Sequence, residues 1–101
     1  MLGTKKKGTH LVNESDILKR NVFFRVRTFS GVNYLFGQNL SYELNETANM
    51  IWEGINGFDS VLDIEKVIAE EYSTTVDDIR EGILLFIDEM MKAGVFQKVE
   101  V

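Results

Sequence analysis

The sequence predicts an α+β domain in which a three-stranded antiparallel sheet is followed by three helices. Three observations carry that prediction. Apolar residues alternate with polar ones in short runs before residue 45; they recur at three- and four-residue spacing in longer runs after it; and turn or capping residues separate the runs. The first run, NVFFRVRTF at 21–29, sets Val22, Phe24 and Val26 against Phe23, Arg25 and Arg27, a strand with one mostly apolar and one basic face. Ser30 and Gly31 signal a turn, VNYLF is the second strand, and Gly37, Gln38 and Asn39 turn the chain into a third at Leu40–Leu44. There Leu40, Tyr42 and Leu44 share a face, and helical spacing takes over at once with Ala48, Ile51, Trp52 and Ile55. Asn45 ends this strand and caps the helix, predicted over 46–56 with Gly57 as its left-handed stop.

The second helix starts at Ser60, where SVLD is a capping-box variant with Asp63 in the Glu position. Its apolar stripe is Val61, Ile64, Val67, Ile68 and Tyr72. The third starts at Thr75, where TVDD repeats the device, and runs to Ala93 before Gly94, with Val76, Ile79, Ile83, Phe86, Ile87 and Met90 as its core stripe. The closing VFQKVEV alternates, so it is either a frayed end or one added strand. Residues 1–16 are polar and without period, which predicts a mobile tail ahead of a single domain at 17–101.

Composition narrows the function. With 101 residues and 45% of them apolar, the chain suits one folded domain. It has no cysteine, which excludes disulfides, a thiolate nucleophile and cysteine-held metals. No apolar core follows the lysines of MLGTKKKGTH to make a secretory signal, and no run approaches the roughly 20 apolar residues that span a bilayer. A cytoplasmic protein without membrane contact is expected.

His10 is the only histidine and falls in the predicted tail, so neither a Ser/His pair nor a histidine metal site can be assembled. It reads as a solvated residue. Glu65, Glu70, Glu71, Asp77, Asp78, Glu81, Asp88 and Glu89 read as solvated helix faces, and Gly54, Gly57 and Gly94 as helix punctuation rather than a phosphate loop. Neither catalysis nor a cofactor is expected.

Charge is unevenly spread. Residues 1–42 carry seven bases against Glu14 and Asp16, near +5, while 43–101 carry fourteen acids against four bases, near −10. Two short helices and a longer one beside a small sheet also describe a winged helix-turn-helix, but the third helix sets five acids against Arg80 and Lys92. That pattern repels a duplex, so no nucleic-acid partner is expected. A winged-helix module for protein–protein contact or transcription is the competing class.

Two features point to a peptide instead. In a plain meander the Leu40–Leu44 strand has one unpaired edge, which must be short, charged or used. On the third helix Leu84 and Met91 fall on a shoulder of the core stripe beside Arg80, and this shoulder is either a wider core or the wall of a groove against that edge. An incoming extended segment suits such a groove.

LNETANMIWEGING, the SVLDIEKVIAEEYS helix and the VDDIREGILLFIDEMMKAGVF helix resemble the PqqD family, the recognition elements for precursors of ribosomally made peptides, over about residues 17–97. The most specific part is Leu44, Asn45, Glu46, Thr47 and Ala48 with Ile51, Trp52 and Gly57; the lysine-rich N-terminus and Phe58-Asp59-Ser60 depart from the usual pattern. The resemblance implies a small winged-helix-like, non-catalytic domain. It would bind the leader of a precursor peptide as a strand added to Leu40–Leu44 and deliver it to a modifying enzyme, such as a radical SAM protein or a lasso-peptide leader peptidase. By position the binding surface would be Leu40, Ser41, Tyr42, Glu43 and Leu44 with Arg80, Leu84, Ile87 and Met91. Leu84 and Met91 would form its floor, and Arg80, Arg25 and Arg27 would attract acidic leader residues. A monomer is expected.

Overall fold

The computed structural model describes residues 10–100. Its elements are β1 (Leu18–Arg20), β2 (Arg25–Phe29), β3 (Val32–Gly37), β4 (Leu40–Leu44), α1 (Glu46–Gly54), α2 (Val61–Glu71), α3 (Val76–Lys92) and β5 (Phe96–Lys98). Strands β2, β3 and β4 form the expected antiparallel sheet in sequence order, followed by the three helices.

Both hairpins close through two-residue loops, Ser30-Gly31 and Gln38-Asn39, with positive φ at both positions (52° and 79°, 46° and 69°). That is the type I′ pattern, whose twist matches the flanking strands. Gly37 has a φ of 154°, and a Cβ there would lie 2.5 Å from the Phe23 carbonyl oxygen, so only glycine lets the second hairpin pass under the start of β2.

The first strand of the sheet is shorter than the sequence suggests. The Asn21 side chain accepts from the Phe23 N–H and donates to the Gly94 carbonyl, both near 3.0 Å, and its own carbonyl accepts from the Phe24 N–H. The resulting turn leaves Val22 and Phe23 exposed, buries Phe24, and delays β2 to Arg25. The closing segment is an added strand: β5 pairs antiparallel with β1, Leu18 opposite Lys98 and Arg20 opposite Phe96.

The helices start where the capping residues place them. Asn45 accepts from the Ala48 N–H at 2.8 Å, and Ser60 and Asp63 make both bonds of the capping box. At Thr75 only half of the device forms: the hydroxyl accepts from the Asp78 N–H, while the Asp78 carboxylate takes its bond from Thr74. Helix α1 stops at Gly54, short of residue 56.

The core lies between the inner face of the sheet, led by Leu35 and Leu44, and Ile51, Trp52, Ile64, Ile68, Ile83 and Ile87 of the helices. It departs from the predicted stripes at specific positions. Val67 of α2 and its C-cap Tyr72 are exposed, and Glu65, expected on a solvated face, is completely buried. On α3 Leu84 is buried, whereas Ile79 and Phe86 are only half covered. The burial of Glu65 and Leu84 follows from the segment at 10–16, for which a mobile tail was expected. From His10 onward it is packed: Val12 is 6% exposed and belongs to the core, and Leu62 and Val61 donate backbone N–H groups to the carbonyls of Glu14 and Asp16. The remainder of the expected tail, residues 1–9, lies outside the described residues.

Candidate functional site

Strand β4 pairs with β3 along its whole length, Asn33 opposite Leu44 and Gly37 opposite Leu40, and among the described residues nothing pairs with its other edge. The alternation of the strand sends Leu40, Tyr42 and Leu44 to the face shared with Leu35, and Ser41 and Glu43 to the opposite face. The Tyr42 ring meets Phe86 of α3 edge-on, with centroids 5.9 Å apart, and its hydroxyl donates to Glu89 at 3.4 Å. Burial, and then the Glu89 charge, push the phenol above its ordinary pKa.

Between this edge and α3 lies an open cavity of about 360 Å3. Its apolar lining comes chiefly from Tyr42, Ile51, Ile68, Ile79, Ile83 and Phe86. Gly82 lies in the middle of the α3 wall, and a Cβ built there would meet nothing within 4 Å. Past Tyr42 and Phe86 the depression continues along Leu85, which is 56% exposed, to Asp88, Glu89 and Lys92. The groove is therefore apolar in its floor and mostly acidic at its margins, where Asp78, Asp88 and Glu89 stand against Lys92, with Glu43 on the outer face of the bordering strand.

The strand half of the expected surface, Leu40 to Leu44, is at this edge, with Leu44 buried, Leu40 and Tyr42 half-buried, and Ser41 and Glu43 exposed. The helix half is elsewhere. Leu84 is 7% exposed and Ile87 fully buried, both within the core; Met91 packs on that core half-buried; none of the three lines the groove. Arg80 bridges to Glu14 at 3.2 Å and to Glu65 and Asp77 at 3.4 Å, so it belongs to the junction of α2, α3 and the N-terminal segment. Arg25 and Arg27 lie on β2, the far edge of the sheet, opposite Phe36 and Tyr34. With exposed Phe29 these half-buried rings form an aromatic cluster on the outer face, centroids 6.1 to 6.4 Å apart, and the arginines do not face the groove.

The N-terminal segment explains the exchange. His10 binds the Asp88 carboxylate through Nδ1 and Glu81 through Nε2 at 3.2 Å, and the Leu11 N–H donates to Asp88 at 2.9 Å. The Asp88 hydrogen bond, against the opposing effect of burial, raises the imidazole above its usual pKa of 6.5. With Glu14 on Arg80, about two turns before Asp88, the segment runs as a strap over the side of α3 that carries Leu84. That shoulder thereby becomes core, and the opposite shoulder, Ile79, Gly82 and Phe86, is the one left open. Beneath the strap, burial and the neighbouring Glu14 carboxylate push Glu65 up to about 8, which outweighs the pull of Arg80. One Glu65 oxygen has no hydrogen-bond partner among the described residues.

What sequence reasoning missed was which shoulder the strap would cover. The available signal was Gly82, a helix-interior glycine away from either cap. Among the described residues, no three His, Cys, Asp or Glu side chains gather as a metal-ligand set, and no helix is long and apolar enough to cross a membrane.

A small α+β domain whose strand edge, unpaired among the described residues, borders an apolar groove under its longest helix has the geometry that strand addition requires. The family model described as coenzyme PQQ synthesis protein D (PqqD) matches residues 35–95, more than half of the sequence, and the chain belongs to the PqqD family. The match runs from the middle of β3 to the residue after Gly94, so it includes β4, the groove and α3 and leaves out the strap. No curated protein and no solved structure matches the chain.

Proposed function

We propose that this chain is a non-catalytic adaptor that binds the leader segment of a ribosomally made precursor peptide and presents it to a modifying enzyme. The carrying observation is the unpaired β4 edge beside an apolar groove, in a member of the PqqD family. The leader adds beside β4 as a fourth strand, its backbone completing the free N–H and C=O groups, each bond contributing about 0.5–1.5 kcal/mol net. Every second leader side chain then turns into the groove between Tyr42 and α3. Asn45 holds the edge in place by tying the end of β4 to the first turn of α1.

Titrating isotope-labelled protein with the leader of a precursor encoded beside it tests this reading. Amide shifts are expected along Leu40–Leu44 and on α3 from Ile79 to Phe86. Shifts restricted to α1 and α2 would overturn it.

A further inference from the structure

We infer that the β4 edge and its groove together select a basic leader segment, one that seats a large apolar side chain over Gly82 in the groove and places a lysine or arginine beside Glu43 on the outer face. The inference rests on the strand-addition reading and specifies its ligand. It reverses the charge expected from sequence, because the arginines that were to attract acidic residues are not at the groove: Arg80 is surrounded by Glu14, Glu65 and Asp77, and Arg25 and Arg27, although they share the outer face with Glu43, lie two strands from it on β2, with Tyr34 between Arg27 and Glu43.

The alternation of β4 fixes the pattern. A strand lying beside it has, at each level, a side chain on the same face as its neighbour. The residue level with Tyr42 enters the groove and meets Phe86, Ile79 and the bare backbone of Gly82. With no side chain at position 82 and open space where its Cβ would stand, the groove leaves room there for a large apolar side chain. The adjacent residue of the incoming strand projects to the outer face, level with Glu43, where a cross-strand pair favours Lys or Arg and disfavours Asp or Glu. Farther along the groove Asp88 is already engaged by His10 and the Leu11 N–H, but among the described residues Glu89 holds only the Tyr42 hydroxyl at 3.4 Å and leaves a second acidic position. Lys92 is the one base among the lining residues described.

An unbiased displayed library of 12-residue peptides, selected on the full chain, reads this out without knowledge of the natural leader. Enriched peptides should carry Lys or Arg next to a large apolar residue, and synthetic copies should shift the amides of β4 and α3. The Glu43→Lys/Glu89→Lys double variant should weaken them about tenfold, from two favourable pairs turned repulsive. Gly82→Leu should weaken them by a similar factor; the variant introduces a good helix former where a Cβ meets nothing, so circular dichroism should show the fold retained. Peptides that bind the groove but are acidic or uncharged, or whose affinity survives both variants, overturn the inference and leave strand addition standing. Selected peptides that shift neither β4 nor α3, or a selection that enriches none, overturn the groove itself.

Discussion

At the scale of single residues, Gly82 carries the most information for its size. A glycine inside a helix costs about 0.5–1 kcal/mol relative to alanine, because more backbone freedom is lost on folding. Gly37 is required by its dihedral and by the carbonyl beneath it, but Gly82 has neither reason, since its backbone is helical and a Cβ would have room. Gly82→Ala should therefore raise the unfolding free energy by about 0.5–1 kcal/mol in urea denaturation. The same methyl group projects into the floor of the groove, so peptide affinity should fall while stability rises. A substitution that raised both would show that the vacancy serves no ligand. Leu84 and Phe86 teach the complementary point: both are apolar on one helix, and a helical wheel alone assigns the wrong one to the interior.

At the scale of elements, the caps and the strap differ in how they are written into the chain. Asn45, Ser60 and Thr75 act on backbone groups three residues away, so sequence alone located the helix starts and, through Asn45, the end of β4. Asn45→Ala should cost about 1 kcal/mol in thermal or denaturant unfolding and loosen the β4 amides in hydrogen exchange. The strap and the β1–β5 pair depend on partners far along the chain, such as His10 with Asp88, Glu14 with Arg80 and Leu18 with Lys98, and no local period announces such contacts. For that reason residues 10–16 read as a tail, and for the same reason the strand side of the groove was legible while its helix side was not. Val12 anchors the strap in the core, and Val12→Ala should cost on the order of 1–3 kcal/mol in the same unfolding measurements. Fluorescence or hydrogen exchange should then show exposure of the Leu84 side of α3. An unchanged stability would mean that the strap contributes nothing to the core.

At the scale of the whole molecule, the strap and its junction with α2 and α3 give stability a direction in pH. Glu65 rises from an ordinary 4.5 to about 8 in the folded chain, because it is buried and faces the Glu14 carboxylate, with Arg80 only partly offsetting both. Between those values the folded state keeps a proton that the unfolded state has released, so unfolding releases a proton and rising pH favours the unfolded chain. His10 acts in the same sense: its value is raised above 6.5 by Asp88 and Glu81, so its contribution is fully present below 6.5 and is lost as pH rises through the folded value. Both groups hold the strap side of α3, and both therefore weaken it toward alkaline pH. Urea denaturation at pH 5, 6.5 and 8 should show the wild type losing stability across the series relative to Glu65→Gln, a neutral group of similar shape. At pH 8 the variant should be the more stable by about 1–3 kcal/mol, the range for a buried group relieved of unsatisfied charge. Near pH 5, where Glu65 is already protonated in the fold, the difference should shrink. His10→Ala should remove a separate part of the slope above pH 6.5 and leave the part below it in place. A variant with Gln at 65 that tracks the wild type at all three values would show that Glu65 enters the fold ionised, held by Arg80 alone.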